Sequence, residues 1–161
     1  MKTNNIKKVL IALDYDPTAQ KIAETGFSLA KSMEAEIILL HVISDSVYYS
    51  STEYSPIVGF TGYIDMGKSQ INNVDGLKKA SQYFLDNVKK HLGDENIQTL
   101  IKEGDFAETI LKTANKLHAN IIVLGSHSHS WFENIVMGSV TEKVLNHTSI
   151  PLFIVPTKKR N

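Results

Sequence analysis

The residues best suited to chemistry lie between Gly125 and Thr141, where small and hydroxyl-bearing side chains follow an apolar run. A loop that leaves a buried strand and enters a helix presents unpaired backbone N–H groups, and the positive helix end adds to their attraction for an anion. Glycine at 125 and 138 would allow close approach of a phosphate and backbone angles that other residues resist. Ser126, Ser139 and Thr141 are the candidate hydroxyl donors. The segment is a candidate phosphate site, and a glycine-serine pair that only caps a helix is the alternative.

A second phosphate signature lies at residues 62–69, whose sequence GYIDMGKS satisfies Gly-x4-Gly-Lys-Ser/Thr. Taken literally it is a P-loop, with Lys68 on the phosphates and Ser69 on magnesium. A P-loop follows a buried strand and opens a helix, whereas Pro56 and Gly59 interrupt the stretch before this one. A P-loop ATPase that acts through Lys68 is therefore kept as the third hypothesis.

Other patterns with chemical potential are weaker. His127 and His129 lie two residues apart, but no third ligand is evident near them, and a solvated polar loop is the simpler interpretation. Asp14 and Asp16 precede Pro17, a context that favours a turn. The sequence has no Gly-x-Ser-x-Gly elbow and no His-Glu-x-x-His motif. We assign no catalytic residue and no metal-ligating residue, and we do not predict enzymatic turnover.

The overall composition excludes several classes of function. The 161 residues suffice for one domain, 1–161, with its own core. Lys plus Arg number 17 and Asp plus Glu number 17, so no net field draws the chain to nucleic acid or an anionic membrane. The absence of cysteine is typical of a reducing compartment. No apolar run approaches the roughly 20 residues that span a bilayer. We expect a cytoplasmic protein, with residues 157–161 as a basic tail.

Short apolar runs alternate with amphipathic stretches, which predicts β-α units around a parallel sheet. The predicted strands are Lys8–Leu13, Glu36–Val42, Asn120–Gly125 and Ile150–Val155, with a weaker fifth between Glu95 and Lys102. Three helical periods begin near Ile22, Leu77 and Ala107, and a shorter fourth runs from Ser139 to about Asn146. Right-handed crossovers would wind this order into a single-domain α/β fold, an open twisted five-stranded parallel sheet with helices on both faces.

Sheets of this kind bind ligands beyond the carboxyl ends of their strands, where the strand order reverses. That rule directs attention to Asp14, Val42 and the segment after Leu124. Residues 43–73 form a long connection with scattered tyrosines and glycines, and the second helix begins within it, from about Asp65. We interpret this connection as a variable surface loop, with a lid over the ligand or a dimer contact as the alternatives.

The segment after the fourth strand resembles the nucleotide loop of the universal stress protein family, Gly-x2-Gly-x9-Gly-Ser/Thr. Gly125 fills the first position, and nine residues separate position 128 from Gly138 and Ser139. The departure is Ser128, where the nucleotide-binding branch prefers glycine. The resemblance extends over nearly the whole chain. It includes an apolar first strand that ends at Asp14, His41-Val42 at the end of the second strand, Gly104-Asp105 before the third helix, and Ser149 to Leu152 at the start of the last strand.

The resemblance implies a Rossmann-like fold of the adenine nucleotide alpha hydrolase-like type that binds ATP, AMP or ADP. Asp14 and Val42 match positions near the ribose and adenine. The positions that match phosphate contacts are Gly125, Gly138, Ser139 and Val140. The complete set of residues assigned to the nucleotide is Ala12, Asp14, Val42, Gly125, Ser126, His127, Ser128, Gly138, Ser139, Val140 and Thr141. Mg²⁺ would be held mainly by the phosphates and water.

The function implied is regulatory, with the nucleotide changing a surface that an unknown protein partner reads. The resemblance also implies a homodimer through the last strand, Ile150–Val155, because an exposed apolar edge tends to pair with a copy of itself. The main alternative is a homodimeric interaction module of the same fold that uses no nucleotide, with Ser128 marking that loss.

Overall fold

The alternation of strands and helices predicted from the sequence is present in the computed structural model, which describes residues 5–15, 17–44, 74–126 and 138–157. The strands are β1 (Lys8–Ala12), β2 (Glu36–Ile43), β3 (Gln98–Glu103), β4 (Ile121–Gly125) and β5 (Leu152–Val155). The helices are α1 (Ala19–Ser32), α2 (Val74–Leu92), α3 (Phe106–Lys116) and α4 (Ser139–His147). No helix among these residues is long and apolar enough to cross a membrane.

All five strands are parallel and lie in the order β3-β2-β1-β4-β5. The chain builds one half of the sheet outward from β1 to β3, then returns to the other side of β1 for β4 and β5. The order therefore switches between β1 and β4, and a crevice opens beyond the carboxyl ends of these two strands. The predicted five-stranded parallel sheet is confirmed.

Two apolar layers cover the sheet, which explains the unbroken apolar runs of its central strands. Val9 and Ile11 pack into the layer formed with α1 and α2, whereas Leu10 between them packs into the layer formed with α3 and α4. None of these three side chains is exposed to solvent. Helices therefore lie on both faces, and β1 is anchored on both sides at the centre of the fold.

Several element boundaries differ from the sequence prediction. β5 begins at Leu152, not Ile150, because the preceding residues form a turn in which Thr148 Oγ1 accepts a hydrogen bond from the Ile150 amide, at 2.9 Å. β3 begins at Gln98, after a turn in which Asp94 Oδ1 accepts a hydrogen bond from the Asn96 amide, at 2.9 Å. The helix start proposed near Asp65 and the loop or lid interpretation of residues 45–73 lie outside the described residues, as does the Lys68 signature.

Candidate functional site

A cleft lies at the switch point, beyond the carboxyl ends of β1, β2 and β4. Its volume, counted out to open solvent, is about 660 Å³. The lining residues are Ala12, Leu13, Asp14, Thr18, Ile22, Leu40, Val42, Phe106, Ile110, Leu124, Gly125, Gly138, Val140 and Thr141. The cleft thus joins the ends of three strands to the first turns of α3 and α4.

The structure brings together most of the residues singled out from the sequence. Those that line the cleft are Ala12, Asp14, Val42, Gly125, Gly138, Val140 and Thr141. Ser126 and Ser139 are not part of this lining. His127 and Ser128 lie outside the described residues.

The sequence interpretation missed the apolar wall of the cleft. Leu40, Phe106 and Ile110 look like ordinary core residues in a one-dimensional pattern, yet they face the crevice. Thr18, the N-cap residue of α1, also lines it. The signal that could have found them is position, because each of these residues lies near the carboxyl end of a strand or in the first turns of a helix that follows one.

Gly125 is closely packed. A Cβ atom at this position would lie 2.5 Å from Ile22 Cδ1, so the end of that side chain would have to shift, and 3.0 Å from Thr157 Cγ2, an unusually tight contact. Neither Gly125 nor Gly138 has a positive φ, and φ of Gly138 is −67°. The expectation of backbone angles that other residues resist is therefore wrong for these two glycines. The close approach of a phosphate to them stays a prediction, and the close neighbour that the structure shows at Gly125 is Ile22.

The hydroxyl of Ser126 is used inside the protein. Ser126 Oγ accepts a hydrogen bond from the Thr157 amide at 3.0 Å and lies 3.0 Å from Thr157 Oγ1. The Ser126 amide donates to the Val155 carbonyl at 2.9 Å, which extends the β4-β5 ladder by one residue. Ser126 therefore fixes the end of β5 to the start of the loop, and its hydroxyl is turned away from the cleft.

The N-terminus of α4 is held against the end of β4. Thr141 Oγ1 donates a hydrogen bond to the Gly125 carbonyl at 2.8 Å, and the Gly138 amide donates to the Ser126 carbonyl at 2.6 Å. These two bonds close the loop at its base. Gly138 is the N-cap residue and makes no side-chain cap bond, and Ser139 is the first helical residue, with an exposed side chain. The first amides of α4 lack intrahelical partners, as in any helix.

The cleft carries charge at one position among the described residues. Asp14 is the only charged residue in the lining, and no lysine or arginine contributes to it. Asp14 Oδ1 accepts a hydrogen bond from the Tyr15 amide at 2.8 Å, which holds the carboxylate at the end of β1. Within the described ranges, no group of three His, Cys, Asp or Glu residues is arranged to hold a metal ion. The arrangement fits binding through amides, apolar contacts and one carboxylate.

Directly behind this edge, on the opposite face of the sheet, lies a buried aromatic cluster of Tyr15, His41 and Phe84. The Tyr15 and His41 ring centroids are 4.3 Å apart, and His41 Nδ1 lies 2.9 Å from the Leu13 carbonyl oxygen. Burial lowers the pKa of His41, and the Asp14 carboxylate and the Leu13 carbonyl oppose part of that shift. The imidazole is therefore neutral under ordinary conditions.

Comparison with known families accounts for this architecture. A model described as the universal stress protein family matches residues 5–156. The chain belongs to the universal stress protein family. Universal stress protein MJ0577 of Methanocaldococcus jannaschii is 30% identical over 158 residues, a match that covers 94% of this chain and 96% of that relative. A solved structure of MJ0577 superposes with a TM-score of 0.71 at 27% identity and covers 97% of this chain and 99% of that one.

Two more distant universal stress proteins have been solved with adenine nucleotides. One is a complex with cAMP, with a TM-score of 0.64 and 14% identity over 96% of this chain and all of that one. The other, from Archaeoglobus fulgidus, is a complex with dAMP, with a TM-score of 0.57 and 14% identity over 93% of this chain and 98% of that one. At 14% identity, these two comparisons show only that the fold is shared.

Proposed function

We propose that this universal stress protein binds ATP, as a complex with Mg²⁺, in the cleft at the switch point. The observation that carries the proposal is that Asp14, Val42, Gly125 and the N-terminus of α4 meet in one crevice. The presence of adenine nucleotides in two proteins of the same fold supports the choice of ligand.

The β1-β2 side of the cleft is suited to the nucleoside. Main-chain groups of alternate residues in a parallel strand face the same neighbour. The Leu40 carbonyl accepts from the Leu13 amide at 2.9 Å, so Val42, two residues later, also directs its main chain towards β1. We assign the adenine edge to the Val42 main chain, the base faces to the apolar wall at Leu40 and Phe106, and the ribose hydroxyls to the Asp14 carboxylate.

The β4-α4 side is suited to the phosphates. The first amides of α4 form the positive end of a nine-residue helix, an arrangement that favours anions. The exposed Ser139 hydroxyl can add a hydrogen bond, whereas those of Ser126 and Thr141 are engaged internally. The lining of the described cleft supplies no cation, so Mg²⁺ would offset the phosphate charge, held by the phosphates and water.

The role proposed for the nucleotide is regulation by ligand-dependent conformation. A ligand shifts a conformational equilibrium by its differential affinity for the two states, and no catalytic step is needed. The lining of the described cleft contains no serine, histidine or lysine that could serve as a nucleophile or a general base. The readout would be a surface recognised by a protein partner in the cytoplasm, a location consistent with the absence of cysteine.

We also propose that two copies of the chain pair through β5. Among the described strands, β5 is hydrogen-bonded to β4 alone, so its outer edge is open. Phe153 on this strand is 37% exposed, and an apolar open edge is a site for pairing with a second copy.

The experiment that tests the ligand is calorimetric titration of the nucleotide-stripped protein with Mg²⁺ and ATP. We expect saturable binding that Asp14→Asn weakens roughly 10- to 150-fold, because a charge-assisted hydrogen bond is worth roughly 1.5–3 kcal/mol. Asp86→Asn, an exposed acid on α2, is the matched control and should bind like the unsubstituted protein. Loss of binding in Lys68→Ala would favour the P-loop hypothesis, and no binding by the unsubstituted protein would favour the nucleotide-independent module.

A further inference from the structure

We propose that Ser126 is a positioning residue for the phosphate subsite. Its hydroxyl takes the place of its own carbonyl in the β4-β5 ladder, and this releases the carbonyl to hold the start of α4. The inference rests on the proposed function, and it gives Ser126 a role other than the direct phosphate contact expected from the sequence.

The regular pairing of β4 with β5 ends at Ser126. The register runs from Ile122 opposite Leu152 to Gly125 opposite Val155, and the Ser126 amide still donates to the Val155 carbonyl at 2.9 Å. In a parallel ladder, a residue that donates to one residue of the neighbouring strand accepts from the residue two positions further along that strand. The regular ladder would therefore join the Ser126 carbonyl to the Thr157 amide.

The side chain of Ser126 occupies that ladder position instead. The Thr157 amide donates to Ser126 Oγ at 3.0 Å, and Thr157 Oγ1 lies 3.0 Å from the same atom. Both residues are buried, so the Thr157 amide needs an acceptor inside the protein. The serine hydroxyl supplies it, as short polar side chains do where they compete with backbone groups for hydrogen bonds.

The released carbonyl is used by the helix. The Ser126 carbonyl accepts a hydrogen bond from the Gly138 amide at 2.6 Å, and the Gly125 carbonyl accepts one from Thr141 Oγ1 at 2.8 Å. Gly138 is the N-cap residue of α4, so these two successive carbonyls fix where the first amides of the helix lie. The amide, carbonyl and hydroxyl of Ser126 thus join the end of β5 to the start of α4.

Loss of the hydroxyl would act on the phosphate side of the cleft. The buried Thr157 amide would then take the Ser126 carbonyl as its acceptor, which turns that carbonyl towards β5 and away from the Gly138 amide. The start of α4 would lose its fixed position, and binding of any ligand held by its amides would include the cost of ordering them. The nucleoside is assigned to the β1-β2 side, so the affinity for adenosine should not change.

The test compares the binding of Mg²⁺-ATP and of adenosine to four proteins, by calorimetry for ATP and by NMR titration for adenosine. We expect Ser126→Ala to weaken ATP binding roughly three- to tenfold, the effect of one hydrogen bond, and to leave adenosine binding within about twofold. Ser126→Thr keeps the hydroxyl and should restore the ATP affinity. The matched control is Thr148→Val, which removes a hydroxyl bonded to the Ile150 amide at 2.9 Å in the turn before β5, and it should retain both affinities.

Amide hydrogen exchange follows the same competition without any ligand. In Ser126→Ala we expect the Gly138 amide to lose protection, whereas the Thr157 amide stays protected by the Ser126 carbonyl. A general loss of stability would instead lower the protection of both amides. In the unsubstituted protein, a coupling across the hydrogen bond between the Gly138 nitrogen and the Ser126 carbonyl carbon tests the arrangement independently of how the variants fold.

Three results would overturn the role of Ser126 and leave the proposed function intact. They are equal losses of ATP and adenosine affinity in Ser126→Ala, an unchanged ATP affinity in that variant, and a coupling that joins the Ser126 carbonyl to Thr157 in the unsubstituted protein. Failure of the unsubstituted protein to bind ATP would overturn the proposed function and this inference together.

Discussion

Substitution of Gly125 by alanine tests how closely the end of β4 is packed against α1. The new Cβ would lie 2.5 Å from Ile22 Cδ1 and 3.3 Å from Ile22 Cγ1, so the end of the isoleucine side chain must shift. Overpacking of this kind costs typically 1–3 kcal/mol. For a domain of this size 1 kcal/mol corresponds to about 2–4 °C, so we expect Tm to fall by roughly 2–12 °C.

Removal of the atom that clashes should relieve the effect. Ile22→Val deletes Cδ1 and alone costs about 0.5–1.5 kcal/mol. We expect the double variant to be more stable than the sum of the single effects predicts, with a favourable coupling of about 1 kcal/mol. The assay is urea unfolding of the four proteins of the double-mutant cycle. Strict additivity, or a Gly125→Ala variant as stable as the unsubstituted protein, would refute the packing explanation of this glycine.

Three further predictions concern the surroundings of the cleft. Thr141→Val should lower the free energy of unfolding by about 1–2 kcal/mol, because the partly buried Gly125 carbonyl loses its donor. Thr141→Ser keeps the hydroxyl and should retain that stability in urea unfolding, and equal losses in the two variants would contradict the role of the hydroxyl. Hydrogen bonds from Gln20 and His91 lower the pKa of Glu24. The ionised carboxylate therefore contributes to the stability of the fold above the ordinary glutamate pKa, and this contribution is lost as the pH falls through the lowered pKa of the folded state. The stability difference from Glu24→Gln should therefore shrink in acid, and a pH-independent difference in urea unfolding would contradict this. Phe153→Glu should convert a dimer to a monomer in analytical ultracentrifugation. A dimer that persists in this variant would exclude the outer edge of β5 as the dimer interface.

The central strands were predictable because a parallel sheet covered on both faces needs apolar side chains in both directions. Ile37 to Leu40 and Ile121 to Leu124 are buried in this way and were recognised as unbroken runs. β3 lies at the edge of the sheet, where Thr99, Leu100 and Ile101 are only half-buried. Its composition is mixed for that reason, and its first residue was misjudged.

The candidate site was predictable at strand ends and much less so in its hydrogen bonds. Asp14, Val42 and Gly125 follow from the rule that ligands lie at the carboxyl ends of parallel strands. The inward orientation of the Ser126 hydroxyl does not follow, because its partner is Thr157, 31 residues away in the sequence. The bond between His41 and the Leu13 carbonyl joins residues 28 positions apart and depends on where the β1-β2 pairing ends. The local pattern of apolar and polar residues does not predict that position.

The proposed function depends most directly on the location of the nucleotide. Titration of ¹⁵N-labelled protein with Mg²⁺ and ATP, followed by amide chemical shifts, addresses that location residue by residue. We predict saturable shifts concentrated at Asp14, Val42, Gly125 and Val140, with Gly93, in the turn after α2, unaffected. Shifts centred elsewhere, or none at millimolar ATP, would contradict the assignment of this cleft as the nucleotide site.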